Sequence, residues 1–210
     1  MAVVKGPLFS LDASGTIGGA IVASKWKGRN YMRRHAVPSN PQSVGQLSVR
    51  AMMQFLSQYW ASLTANQQAD WEDRAAVTNI SPFNAFVAYN MSRWGNFLPP
   101  SIADPATAGD TAGTIANGSA TAGSRCITLS IEVTVLAQNW GILVFRNLTG
   151  VFTRSREKLV HVIPAVTAAV YTWLDTPLAP GIAQYYEFSA ISLLGVMGAA
   201  SAEVNATPTA

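Results

Sequence analysis

Gly95-Asn96-Phe97-Leu98-Pro99-Pro100-Ser101 separates two stretches of chain that are patterned differently. Upstream of the proline pair the sequence is basic, rich in tryptophan and spaced for helices. Downstream it is rich in Ala, Thr, Gly and Val, nearly uncharged along its apolar runs, and alternates in twos. A period near 3.6 predicts helices and a period of two predicts strands. The expected fold class is therefore an α+β N-terminal module, a β-hairpin plus about three helices, followed by an all-β sandwich. The expected domains are an anchoring module over 1–97, a linker or edge over 98–123, and a sandwich over 124–210, with a start near 100 as the alternative.

Working upstream, residues 15–37 read as a basic hairpin. One strand is expected from Thr16 to Trp26, a turn at Lys27-Gly28-Arg29-Asn30, where Gly and Asn tolerate positive φ, and a return strand from Tyr31 to Val37. Asn40 and Pro41 suit the cap and first position of a helix. Val44, Leu47, Ala51, Met52, Phe55, Leu56, Tyr59, Trp60 and Leu63 then form one apolar stripe, predicting a helix over about 41–62. Thr64 with Gln67 fits a capping box opening a helix over 65–77, and Ser81-Pro82 opens a third over 82–94. Trp60, Trp71 and Trp94 are expected to be packed in a core.

Working downstream, Ile127, Leu129, Ile131 and Val133 alternate, as do Trp140, Ile142 and Val144. Further short runs bring the count to roughly seven strands in about 100 residues, the density of a β-sandwich. Cys126 is expected to face its core. The stretch Tyr171-Thr172-Trp173-Leu174-Asp175, then Leu178-Ala179-Pro180-Gly181, Tyr186-Glu187-Phe188-Ser189-Ala190, Gly195, Gly198 and Ser201 resembles the second half of a fibronectin type III domain. That resemblance implies a Leu-x-Pro-Gly corner followed by a strand whose tyrosine hydroxyl ties back to the corner. Tyr185 and Tyr186 are both candidates for that tyrosine. The fold hosts many unrelated binding roles and implies no chemistry.

The chain of 210 residues has 12% charged and 49% hydrophobic residues, which argues against disorder. No apolar run approaches the roughly 18 residues of a membrane span, and the N-terminus has no signal-peptide pattern. A single cysteine excludes an internal disulfide and predicts assembly in a reducing cytoplasm. His35 and His161 fall in different modules with no cysteine or acidic cluster beside them, so no metal or cofactor is expected. Asp70, Glu72 and Asp73 lack a partner base and read as a solvated face or as partners of Arg74. No nucleophile elbow and no phosphate-binding loop is present. A non-enzymatic protein is expected. Net charge is +3, shared as +5 before residue 100 and −2 after it, so the N-terminal module is the one expected to seek an acidic partner.

Within that module Lys25, Trp26, Lys27, Arg29, Tyr31, Arg33 and Arg34 are the candidate binding residues, with His35 beside them. Cations interleaved with aromatics suit either an acidic protein surface or nucleic acid, where cations meet phosphates and rings stack on bases. The charged segment Arg154, Arg156, Glu157 and Lys158 reads as a soluble turn, with contact to host glycans or protein as its sharper alternative.

The series Lys5-Gly6-Pro7, Gly15, Gly18-Gly19, Lys25-Trp26-Lys27-Gly28-Arg29, Arg33, Pro38-Ser39-Asn40-Pro41-Gln42-Ser43, Gln46, Arg50, Trp60-Ala61-Ser62-Leu63-Thr64, Gln67-Gln68, Trp71, Ala75, Ser81-Pro82-Phe83-Asn84-Ala85-Phe86 and Asn90 resembles short tailed-phage and prophage structural proteins. The resemblance implies a virion structural protein, assembled in the bacterial cytoplasm. The favoured role is a capsid decoration or head-fibre subunit bound to the major capsid protein or other virion proteins. In that role the sandwich is displayed toward neighbours or the host cell surface, with homo-oligomers as a further option and no membrane partner. A tail or baseplate protein is the first alternative and a nucleic-acid-binding protein the second.

Overall fold

The computed structural model describes residues 3–4, 13–27, 29–37, 42–106, 109–134, 139–164 and 169–210. They belong to two compact units, Met1–Pro41 and Gln42–Ala210. The expected division at 97/98 is thus replaced by one after Pro41, and the reason lies in the second unit's core.

The first unit is a four-stranded antiparallel meander of β1 (Val3–Val4), β2 (Ala13–Ile17), β3 (Ile21–Trp26) and β4 (Arg29–Arg34), in that order across the sheet. The single strand expected from Thr16 to Trp26 is divided by a turn. Gly18 and Gly19 both hold positive φ (+56 and +68), open to glycine without a Cβ penalty, and the chain doubles back so that Ile17 pairs with Ile21. The next reversal is tighter than expected: Trp26 pairs with Arg29, so Arg29 and Asn30 belong to the strand.

The second unit opens with four helices. The proposed start at Asn40-Pro41 lies outside the described residues; α1 is Val44–Trp60, with Ser43 at its cap position. The capping box at Thr64 and Gln67 forms, each residue satisfying the other's backbone N–H. The helix it opens stops early. α2 (Ala65–Ala69) and α3 (Glu72–Thr78) flank Trp71, which is fully buried and donates its indole N–H to Ile102 O at 3.1 Å. Burying that ring and bonding its nitrogen outweighs continuing the helix. α4 (Pro82–Gly95) starts as expected, the Asn84 backbone N–H donating to Ser81 Oγ at 3.2 Å.

Residues 98–106 and 109–113 are not a linker: the first stretch packs on the helices and the second on the sandwich. Pro99, Pro100 and Ser101 are buried. The buried Asn90 amide donates to Ser101 O (3.0 Å) and accepts from Ser101 N–H (2.7 Å), clamping the segment to α4. The sandwich strands follow: β5 (Ile115–Gly123), β6 (Cys126–Val133), β7 (Asn139–Asn147), β8 (Leu159–Pro164), β9 (Val170–Asp175), β10 (Gln184–Ser192) and β11 (Val204–Ala206). One sheet has the order β5-β6-β9 and the other β11-β10-β7-β8, a fibronectin type III-like sandwich.

Two cores meet at β7. Between the sheets lie Ile127, Leu129, Ile131, Val133, Ile142, Val144, Tyr186 and Phe188. On the helix side, Leu143, Phe145, Trp140, Leu159, Val162 and Ile191 of the sandwich share one cluster with Met52, Phe55, Leu56, Trp71, Phe86 and Trp94 of the helices. Phe55 and Tyr59 each lie 5.0 Å from the Trp140 ring, in edge-to-face geometry. The β11-β10-β7-β8 sheet is thus buried on both faces, and the helices are a third layer of the sandwich. Cys126 alternates with the inward-facing Ile127, so it is half-buried on the outer parity and not in the core.

Val151, 99% exposed, holds φ +52, and its N–H donates to the Glu203 carboxylate at 2.7 Å. A side chain in the left-handed region costs roughly 1–2 kcal/mol, and β-branching does not relieve it. Val151→Gly is expected to raise the urea midpoint by the equivalent of about 1 kcal/mol once glycine's extra unfolded-state freedom is subtracted. An unchanged or lower midpoint would refute the strain.

Candidate functional site: a cationic, aromatic sheet

The β3–β4 register sorts the seven candidate residues onto two faces. Trp26 pairs with Arg29, Ser24 with Tyr31 and Val22 with Arg33, and these residues share one face because strand side chains alternate. Lys25, Met32 and Arg34 belong to the opposite face, and Lys27 sits in the turn with φ +48. The sequence places all seven in one cluster; the pleat divides them into an aromatic–guanidinium face and a lysine–methionine–arginine face. Opposed side chains on one face lie about 5 Å apart, so the Trp26 and Tyr31 rings stand among the Arg29 and Arg33 guanidinium groups.

Exposure keeps this face available. Trp26 is 65% exposed and Tyr31 42%, and Arg29, Arg33 and Arg34 are exposed. The Lys27 ammonium lies 4.9 Å over the Trp26 ring, a cation–π contact that orients the indole. From residue 13 to residue 69 the sequence contains no Asp or Glu, while it carries Lys25, Lys27, Arg29, Arg33, Arg34 and Arg50. The formal charge of that stretch of sequence is wholly positive.

Other charged groups are committed elsewhere. Arg74 does not serve the acidic cluster at 70–73; it forms a two-pronged ion pair with Asp104 and lies over the Tyr89 ring. The segment expected to be a soluble turn is tied into the second unit. Arg154 reaches the Ser189 hydroxyl, Arg156 O accepts from Ser48 Oγ, and Lys158 donates to Thr153 O at 2.7 Å. A cleft of about 380 Å³ nearby is lined by Arg146, Asn147, Glu157 and Lys158, among others. Arg146, Asn147 and Lys158 each place a donor on a partner inside the chain.

His161 stacks on Trp173 with ring centroids 4.7 Å apart, and burial pushes its imidazole below the usual range. Among the described residues, no group of three or more His, Cys, Asp or Glu could hold a metal, and no helix is long and apolar enough to cross a membrane.

The sequence reading missed one polar site. Tyr186 is the core tyrosine, fully buried between the sheets, but its hydroxyl donates to Asp175 Oδ2 at 2.8 Å and not to the corner. Arg146 donates to the same oxygen at 2.7 Å. Burial, then the Asp175 charge, drives the Tyr186 hydroxyl far above its ordinary pKa, so it stays a donor. The Leu178-Ala179-Pro180-Gly181 corner is held by the backbone: Leu178 N–H donates to Arg125 O and Gly181 N–H to Pro208 O. Tyr185 packs instead with the helix-side core.

The second unit is a fibronectin type III-like sandwich layered with helices, and the first is a cationic sheet. The chain belongs to a family of unknown function, DUF6266, which matches residues 13–142, from β2 through the helices into β7. No curated protein matches the chain. Among solved structures it is similar to an Fn3-like protein from Clostridium thermocellum, 21% identical over 48% of this chain and 97% of that one, with a TM-score of 0.33. It is also similar to the 6th fibronectin type III domain of human fibronectin type III domain containing protein 3, 15% identical over 50% and 92%, TM-score 0.37. A beta-1,2-glucanase from Parabacteroides distasonis is 19% identical over 48% of this chain but only 14% of the glucanase, TM-score 0.34.

Proposed function

We propose that this protein is a non-enzymatic structural subunit of a tailed-phage virion, a head-decoration or head-fibre protein. Its cationic sheet grips an acidic protein surface, such as that of a major capsid protein, and its sandwich is the displayed part. The observation that carries the reading is the exposed face on which Trp26 and Tyr31 stand beside Arg29 and Arg33, in a stretch without a carboxylate. Aromatic and arginine side chains are the residues that dominate binding energy at protein interfaces. The ordered series from Lys5 to Asn90 that resembles phage structural proteins supports the virion setting.

Purified protein is expected to rebind capsids stripped of it at physiological salt. A variant carrying Arg29→Glu, Arg33→Glu and Arg34→Glu should bind at least about 100-fold more weakly, since each like-charge contact costs and every 1.4 kcal/mol is tenfold. Co-sedimentation of fluorescent protein with capsids and with tails measures this. Recovery with tails alone would move the protein to the tail. Binding to non-specific DNA with a steep salt slope, in place of capsids, would replace the docking reading with a nucleic-acid one.

A further inference from the structure

The docking face borders an unpaired strand edge. β4 is the last strand of its sheet, and among the described residues no strand pairs with its outer side. The His35 N–H donates to Ala20 O at 2.7 Å, one step beyond the Ile21–Arg34 pair. Antiparallel ladders alternate hydrogen-bonded and non-hydrogen-bonded pairs, so Arg33 and Tyr31 turn their backbone groups toward β3 while Arg34 and Met32 turn theirs outward. The free edge thus offers the N–H and C=O groups of Met32 and Arg34, flanked by the exposed side chains of Arg29, Tyr31 and Arg33 on one face.

We propose that this edge binds an extended acidic segment of a partner protein by strand addition, its backbone pairing with Met32 and Arg34 and its alternate carboxylates facing Arg29 and Arg33. The inference rests on the docking reading above and specifies how the partner is held. Backbone pairing along a sheet edge supplies affinity without sequence demand, and the alternating side chains supply the selection. Arg29 and Arg33 are four residues apart on one face, about 13 Å along the strand, so the matching ligand carries acidic groups at the same spacing with a residue against Tyr31 between them. A second copy of β4 is a poor occupant, because it would bring three further arginines to the same edge, and like charges close together destabilise a strand pair.

The test uses the full chain and a fluorescein-labelled nine-residue peptide alternating Glu and Thr, read by fluorescence polarisation. With the peptide antiparallel to β4 and Glu on the Arg29–Arg33 face, the Thr amides are the ones that pair with β4. N-methylation of the Thr amides is therefore expected to weaken binding at least about tenfold, while N-methylation of the Glu amides leaves it within about twofold. Met32→Pro removes an outward N–H without touching the β3–β4 ladder, a placement proline accepts on edge strands, and is expected to abolish the same increment. Retained circular dichroism of Met32→Pro checks the fold, and the methylated peptides test the edge on unaltered protein. Equal binding of all three peptides would overturn strand addition while leaving charge-driven docking intact. Failure of every acidic peptide together with tight binding of a twenty-residue oligothymidylate would overturn both.

Discussion

A fragment of residues 100–210 does not fold into a soluble sandwich, whereas residues 42–210 unfold in one cooperative transition. This is the expected result of cutting the chain at its proline pair. The cut strips the helices from the β11-β10-β7-β8 sheet and opens Leu143, Phe145, Leu159, Val162 and Ile191 to water. Each large apolar side chain is worth about 1.5–3 kcal/mol when buried, so the loss is on the order of 10 kcal/mol. Total stability of an ordinary domain is about 5–15 kcal/mol, so little or nothing remains. Thermal melts followed by near-ultraviolet circular dichroism and gel filtration decide the matter. A sharp, reversible transition from a monomeric 100–210 fragment would show that the sandwich is independent. Within the intact chain, the same packing is probed more gently at Phe55, whose ring meets Trp140 and Tyr59.

Asp175→Ala is expected to cost about 3–5 kcal/mol, the range for removing one partner of a buried ion pair. The Asp175 side chain is 7% exposed and one of its oxygens accepts from both Arg146 and Tyr186, so its loss leaves a guanidinium and a phenol without their acceptor. Tyr186→Phe removes a single hydrogen bond and should cost about 1 kcal/mol. The ordering follows from charge: an orphaned guanidinium is harder to solvate inside the sandwich than an absent hydroxyl. Urea denaturation of both variants measures it. If Asp175→Ala lay within 1 kcal/mol of the parent, the triad would be a surface ion pair in energetic terms.

Much of the architecture is legible in local pattern. The apolar stripe from Val44 to Leu63, the Thr64–Gln67 box and the Ser81-Pro82 start are local physics, and α1, α2 and α4 follow them. The alternation of Ile127, Leu129, Ile131 and Val133 likewise becomes the inner face of β6. The extent of the shared core is not legible at Gly141-Ile142-Leu143-Val144-Phe145. That stretch is apolar at every position, the signature of a strand covered on both sides, and it names no covering element. The basic cluster shows the same divide. Composition alone reveals five cations with two aromatics near a turn, but whether Arg29 joins Trp26 or opposes it depends on a one-residue shift of register, which moves every side chain to the other face.

By itself, then, the sequence determined the element types, the sandwich, and a front end that is positive and aromatic, because periodicity, caps and charge act between residues close along the chain. Only the tertiary structure decided that helices and sandwich share one core, that Asp175 gathers Arg146 and Tyr186, and that Trp26, Arg29, Tyr31 and Arg33 form one face. Those outcomes depend on which distant surfaces meet, and burial is assigned between residues that no local pattern connects.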